Sequence, residues 1–285
     1  MRSIWVHNPE SGARLVGNQY MRDRIPAAGP VNGVRYSTMH FLFDAPVPYE
    51  EYYKSSTDFD AVIGDNNYTV AVWAKMFSIK ENDSIIGWTD EGGFEFLDGG
   101  AIMFVSDTVV RGHCGAPYSQ ADSNSIFTAG ASLLDGNWHH YCLRWNASLT
   151  GDERIRLFVD GVKAGDGGDS SIGESHTNQF NLGRVGSGAS TSNNTDGEAT
   201  EAVVFNIGLT DAEVAELYNA GVPFDPRTHS RAANLQIYWR AESVLPDQHV
   251  KNLGIEGTPY DGTRLGLPFP TDPNLPTVVS GGVGP

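Results

Sequence analysis

Short alternating stretches dominate the chain from residue 34 to residue 243. "VRYSTMHFLF", "YTVAVWAKMF", "SIIGWT", "AIMFVSD", "NWHHYCLRWN", "RIRLFVDG", "QFNLGRVG" and "EAVVFNIG" are rich in β-branched and aromatic residues, with Gly, Asn and Asp clusters between them. A period of two predicts strands, and the turn residues predict antiparallel pairing in a sandwich or barrel. "NLQIYWRAES" adds another strand, with Leu235, Ile237 and Trp239 on one face. One stretch follows helical spacing instead: in "GLTDAEVAELYNAGVPF", Val214, Leu217 and Tyr218 make an apolar stripe. Thr210 is placed to cap this helix, Glu213 to complete a capping box, and Gly221 to supply a left-handed stop before Pro223.

The pair His139 and His140 in "NWHHYCLRW" invites a metal or catalytic reading. Strand periodicity removes it. His139, Tyr141, Leu143 and Trp145 fall on one face and Trp138, His140, Cys142 and Arg144 on the other, so the imidazoles cannot converge on one ion. Ile155, Leu157 and Val159 form the apolar face of a returning strand, which Asp160-Gly161 turns.

With "RLFVDG", this hairpin resembles the laminin-G-like and concanavalin A-like jelly rolls, where a "W-H-H-V-A-V-x-Y" strand leads into "L-Y-V-D-G". A second block, "GEATEAVVFNIGLTDAEVAELYNAG", is similar to that family's "G-x-I-D-E-V-R-I-Y-N" strand and the helix after it. Gly197, Glu201, Phe205, Asn206, Leu209, Glu213, Leu217, Tyr218 and Gly221 fall in register. The resemblance spans about residues 57–243 and implies an all-β, two-sheet antiparallel sandwich with one short helix. It also implies a concave face or rim loops that bind glycans or proteins, often beside a calcium ion. The family's Asp before the Glu is Thr200 here, which puts calcium in doubt; Asp196, Glu198 and Glu201 are the oxygens left to offer.

Outside the alternating region the pattern fails. Residues 1–35 mix charge, Gly and Pro without a period and read as an extended arm; residues 36–245 read as the sandwich. Residues 246–285 end in "LGLPFPTDPNLPTVVSGGVGP", whose five prolines exclude helix and interior strand and make a second arm, one that stays ordered by docking on its own domain or on neighbouring subunits.

Composition narrows the chemistry. A net charge of −16 disfavours nucleic acid, whose binding rests on Lys and Arg. No stretch has the length of a membrane span or the apolar core of a secretory signal, so export and glycosylation of the N-x-S/T triplets at Asn67, Asn82, Asn146 and Asn193 are not expected. Cys114 and Cys142 are one bridge or two buried thiols. The glycosidases of this fold carry alternating carboxylates on a strand, whereas Glu95 and Asp98 in "EGGFEFLDGG" have opposite parity and Gly92-Gly93 interrupts Glu91 and Glu95. The stretch "GSGAST" and the pair His113-Cys114 read as a rim loop and a strand end. Trp73, Trp138, Trp145 and Trp239 read as core. Trp88, Phe94 and Tyr118, in expected loops, are the candidate sugar-stacking residues.

These readings combine into a non-enzymatic surface protein of a virus particle, such as a capsid decoration or tail-associated protein of a phage. Its sandwich would face outward and its arms would anchor it to neighbouring copies or other virion proteins. A free extracellular glycan-binding lectin or adhesion module is the alternative, and a polysaccharide-active enzyme the third.

Overall fold

A computed structural model of the chain describes residues 6–7, 14–15, 39–43, 52–63, 67–80, 83–88, 100–114, 126–128, 132–167, 179–184, 195–223, 225–243, 249–255, 257, 260–265 and 277–280. Beyond a two-stranded ribbon of β1 (Val6–His7) and β2 (Arg14–Leu15), the strands form two antiparallel sheets. One holds β3 (Met39–Phe43), β5 (Tyr68–Ser78), β10 (His139–Trp145), β11 (Ile155–Val159), β12 (Val162–Gly167), β14 (Asp196–Phe205), β15 (Leu235–Trp239) and β17 (Thr277–Ser280). The other holds β4 (Tyr52–Asp58), β6 (Ser84–Gly87), β7 (Gly100–Ser106), β8 (Val109–Cys114), β9 (Ile126–Thr128), β13 (Gln179–Leu182) and β16 (Gly262–Leu265). The helix α2 (Asp211–Tyr218) follows β14 and lies on the first, helix-side sheet; α1 (Asp60–Ile63) is a single turn.

The order of the helix-side sheet is β12-β11-β10-β5-β14-β3-β17, with β15 also on β14, and that of the far sheet is β16-β4-β13-β6-β7-β8-β9. Between them lies one apolar core that includes Phe41, Tyr53, Phe59, Tyr68, Phe104 and Tyr141. The strand parities put it there. Tyr141, Leu143 and Trp145 face inward, and Cys142 faces the opposite side, as the period of two requires. Asp160 (φ 52) and Gly161 (φ 71) both take positive φ between paired Val159 and Val162, the primed two-residue turn that follows strand twist.

The left-handed stop of α2 begins at Asn219 (φ 49), whose side-chain amide donates to the Val222 carbonyl, and runs through Ala220 (φ 53) to Gly221 (φ 90), the position expected to supply it. Two sequence expectations are corrected by local geometry. Leu235 does not share a face with Ile237 and Trp239. A register shift opposite it, between Val204 and Phe205, sends Leu235 outward. Beyond residue 245, β16 adds to the β4 edge of the far sheet and β17 to the β3 edge of the helix-side sheet. Edge positions are where a proline-flanked strand can pair, since only one side of it needs donors.

Candidate functional site

The two outer faces of the sandwich are built differently. On the helix-side sheet a second apolar cluster joins Ala71, Cys142, Phe158, Val203, Phe205 and Tyr238 to Val214 and Leu217 of α2. The helix is held at its start. Thr210 and Glu213 complete the capping box, and Asp211 accepts from Arg156 at 2.8 and 2.9 Å and meets Arg144 at 3.4 Å. Tyr218 stacks on Trp73 at 5.6 Å between centroids, and His140 fills the space beside both rings. Burial pushes the His140 imidazole down to about 4, despite the nearby Asp160.

Farther along the same face, buried Lys75 and Glu198 pair directly across β5 and β14, and the Lys75 ammonium lies 5.5 Å from the Trp138 ring centroid. A bulge between Thr200 and Val203, with Glu201 at φ 52, turns Glu201 to this face as well. There its carboxylate accepts from the Tyr238 hydroxyl and lies 3.6 Å from Arg240.

The far sheet's outer face is polar. Phe180 and Leu182 belong to the core, so Asn181 between them points outward. Strand registers place Thr263, Lys54, Asn181, Gly87, Ala101 and His113 side by side in one row across six strands. Met103 and Arg111 stand opposite each other in the next row. Asn181 is 1% exposed, and its Nδ2 donates to the Gln179 carbonyl at 2.8 Å and the Gly87 carbonyl at 3.4 Å. Its Oδ1 is buried and has no partner among the described residues. Leaving such an acceptor dry costs about 1–3 kcal/mol, so an alkane at this position would be favoured if the side chain served packing alone. The middle of the row carries only Gly87 and a buried Ala101, whereas Lys54 and Thr263 at its β4 end are half-buried.

Of the sugar-stacking candidates, Trp88 is in the core. Its backbone donates to the Gly100 carbonyl at 2.8 Å, and its ring stacks on Phe59 at 4.8 Å and meets Tyr68 edge-on. Gly100 makes room for it, because a Cβ there would lie 2.5 Å from the indole. Phe94 and Tyr118 lie outside the described residues, as do Glu91, Glu95, Asp98 and "GSGAST". Trp73, Trp138, Trp145 and Trp239 are buried, as their strand positions predict.

The calcium candidates do not converge. Asp196 accepts from Ser78, Glu198 pairs with Lys75 and Glu201 binds Tyr238, so the three carboxylates serve three different partners. Among the described residues no group of three or more His, Cys, Asp or Glu could hold a metal ion. Cys114 and Cys142 are separate buried thiols, one in the core and one under α2, and burial pushes the Cys114 thiol up to about 12. Among the described residues no helix is long and apolar enough to cross a membrane. Asn181 had no signal in the sequence, since "QFNLG" reads as one more strand and its neighbours in the row are set by long-range register.

Residues 50–215 match the family model described as the Concanavalin A-like lectin/glucanases superfamily, in its laminin-G form. The chain belongs to that superfamily. Among solved structures it is similar to a Bacteroides ovatus protein described as carbohydrate binding, at 15% identity and a TM-score of 0.55, over 86% of this chain and 60% of the other. It is also similar to a heptameric SAP-like pentraxin of Limulus polyphemus, at 15% identity and a TM-score of 0.49, over 64% and 82% of the two chains. The CBM40 of a Ruminococcus gnavus IT-sialidase, bound to α2,3-sialyllactose, matches at 11% identity and a TM-score of 0.47, over 62% and 97%. No curated protein matches the chain in sequence.

Proposed function

We propose that the protein is a non-enzymatic carbohydrate-binding module whose ligand lies on the outer face of the far sheet. One observation carries the reading: the helix-side face is closed by a second apolar core, while the far face carries the Asn181 row with an acceptor left over. Superfamily membership supports carbohydrate as the ligand class and does not name the sugar. The test is a glycan array probed with the full chain and with a Lys54→Ala variant, whose position lies at the half-buried end of the row. Binding weakened by the substitution is expected; binding to no glycan, or equal binding by both proteins, would overturn the assignment.

The finer proposal places this module on the surface of a virus particle, with its terminal segments as anchors. Its support is the pairing of β17 with the β3 edge, because a strand that completes a sheet in its own chain can complete the same edge on a neighbour. Deleting residues 266–285 is expected to abolish incorporation into particles while glycan binding persists. Unchanged incorporation refutes the anchoring role.

A further inference from the structure

We infer that His139 is a proton-operated latch: as an imidazolium it ties the loop 132–137 to the Asp160-Gly161 turn, and on losing its proton it lets the loop go. Geometry carries the inference. Nδ1 lies 2.8 Å from Asp160 Oδ2 and Nε2 lies 3.2 Å from Asp135 Oδ1, so each ring nitrogen faces a carboxylate oxygen. A neutral imidazole has one N–H and one lone pair, whereas an ionised carboxylate only accepts. Both contacts are hydrogen bonds only while the ring carries two protons. On deprotonation the remaining N–H stays on Nδ1, where the contact is shorter, and Nε2 turns a lone pair on Asp135.

One end of the latch is fixed and the other can move. Asp160 is fixed, because its Oδ1 also accepts the His140 backbone N–H at 2.9 Å. Asp135 is exposed, and its other bonds, from the backbone and side chain of Asn137 at 2.8 and 2.7 Å, lie within the loop and travel with it. The loop is pinned to the far sheet just before that point. Leu133 sits in the core and donates its N–H to the Asp107 carbonyl at 2.7 Å, and the Asp107 carboxylate takes the Ser132 hydroxyl at 3.3 Å. The stretch that can swing is therefore 134–137. The other groups around the ring do not compete for the proton. Across β5 its partner is Ala74, and along β10 the Tyr141 ring lies at 6.2 Å, its phenol held well above the ordinary range by burial and by Asp160 and Asp135. His140 also senses Asp160, but it stands on the opposite face and is neutral above about 4. Burial disfavours the charge on His139 and the two carboxylates outweigh it, so the latch stays closed through the usual histidine range and opens as pH rises beyond it.

The test is an NMR titration of the full chain that follows the ring nitrogens of His139 and the backbone amides of the loop. Both ring nitrogens should be protonated at about pH 6, with a midpoint above the ordinary value of about 6.5. The Asn137 amide should shift with that same midpoint, and its protection from hydrogen exchange, corrected for the intrinsic rate, should drop about threefold once the ring is neutral, as the loss of one exposed ion pair implies. Asp135→Ala, at an exposed position, should lower the His139 midpoint and remove the matching transition from the Asn137 amide. A single ring N–H at about pH 6, or a midpoint at or below about 6.5, overturns the double contact. A doubly protonated ring whose titration leaves the Asn137 amide unmoved, or an Asp135→Ala protein that titrates as the wild type does, overturns the latch.

Discussion

The two outer faces of this sandwich begin from the same strand geometry and end with opposite contents. On the helix-side sheet, Ala71, Cys142, Val203 and Phe205 point away from the main core and would be wet, but α2 supplies Val214 and Leu217 and makes a second dry layer. On the far sheet, the row of outward positions Lys54, Asn181, Gly87, Ala101 and His113 is polar or small, with Met103 beside Arg111 in the next row. A face whose side chains pack into a layer contributes to stability. One whose buried amide lacks a partner loses stability at that point, and such a loss persists where another molecule can recover it.

The largest expected effect tests this division directly. Phe205→Ala leaves a cavity beneath α2 and should cost about 3–5 kcal/mol in denaturant unfolding, whereas Lys54→Ala on the far sheet should cost under about 1 kcal/mol. Similar costs at the two positions would erase the distinction between a structural and a binding face. Next in size is the Lys75–Glu198 pair, which shows that the helix-side face is not apolar throughout. Lys75→Met strands a buried carboxylate and should cost about 3 kcal/mol, while Lys75→Met with Glu198→Leu should return to within about 1 kcal/mol of wild type. If the double variant is as unstable as the single one, the pair does more than balance its own burial.

Local signals carried much of this architecture. The Asp160-Gly161 turn, the Thr210 and Glu213 capping box and the opposite facing of His139 and His140 depend on neighbours within a few residues, and each is legible in the sequence. The faces of Leu235 and Glu201 are not, because each depends on a bulge that slips register against another strand. The burial of Trp88 is hidden for a related reason: "GWTDEGG" has the composition of a loop, and only Gly100, brought alongside by β-pairing, gives the indole its slot. β4 is not legible as a strand because "YYKSSTD" is polar at the outward positions of the very face that carries the candidate site. Asn181 was least legible of all, since its meaning lies in a row drawn from six strands.

The adjacent histidines offer the finest test, because they report on opposite sides of one strand. Burial disfavours the His139 imidazolium, but the Asp160 carboxylate 2.8 Å from Nδ1 and Asp135 at 3.2 Å from Nε2 outweigh it and raise the pKa. A raised histidine pKa contributes stability that is present below the unfolded value of about 6.5 and lost as pH rises through the folded value. His140 runs the other way. Held down to about 4 beside Trp73 and Tyr218, it contributes fully above about 6.5 and loses that contribution as pH falls toward 4. Between about pH 7 and pH 5 its loss should reach ~2 kcal/mol, so His140→Phe should lose that much less stability than the wild type over the same range. His139→Asn should do the reverse and lose more stability than the wild type on acidification, because His139 gains there. Unfolding curves for the three proteins at the two pH values decide the matter: identical slopes would mean that the two rings share one environment, and the two faces of β10 would not be the separate layers described above.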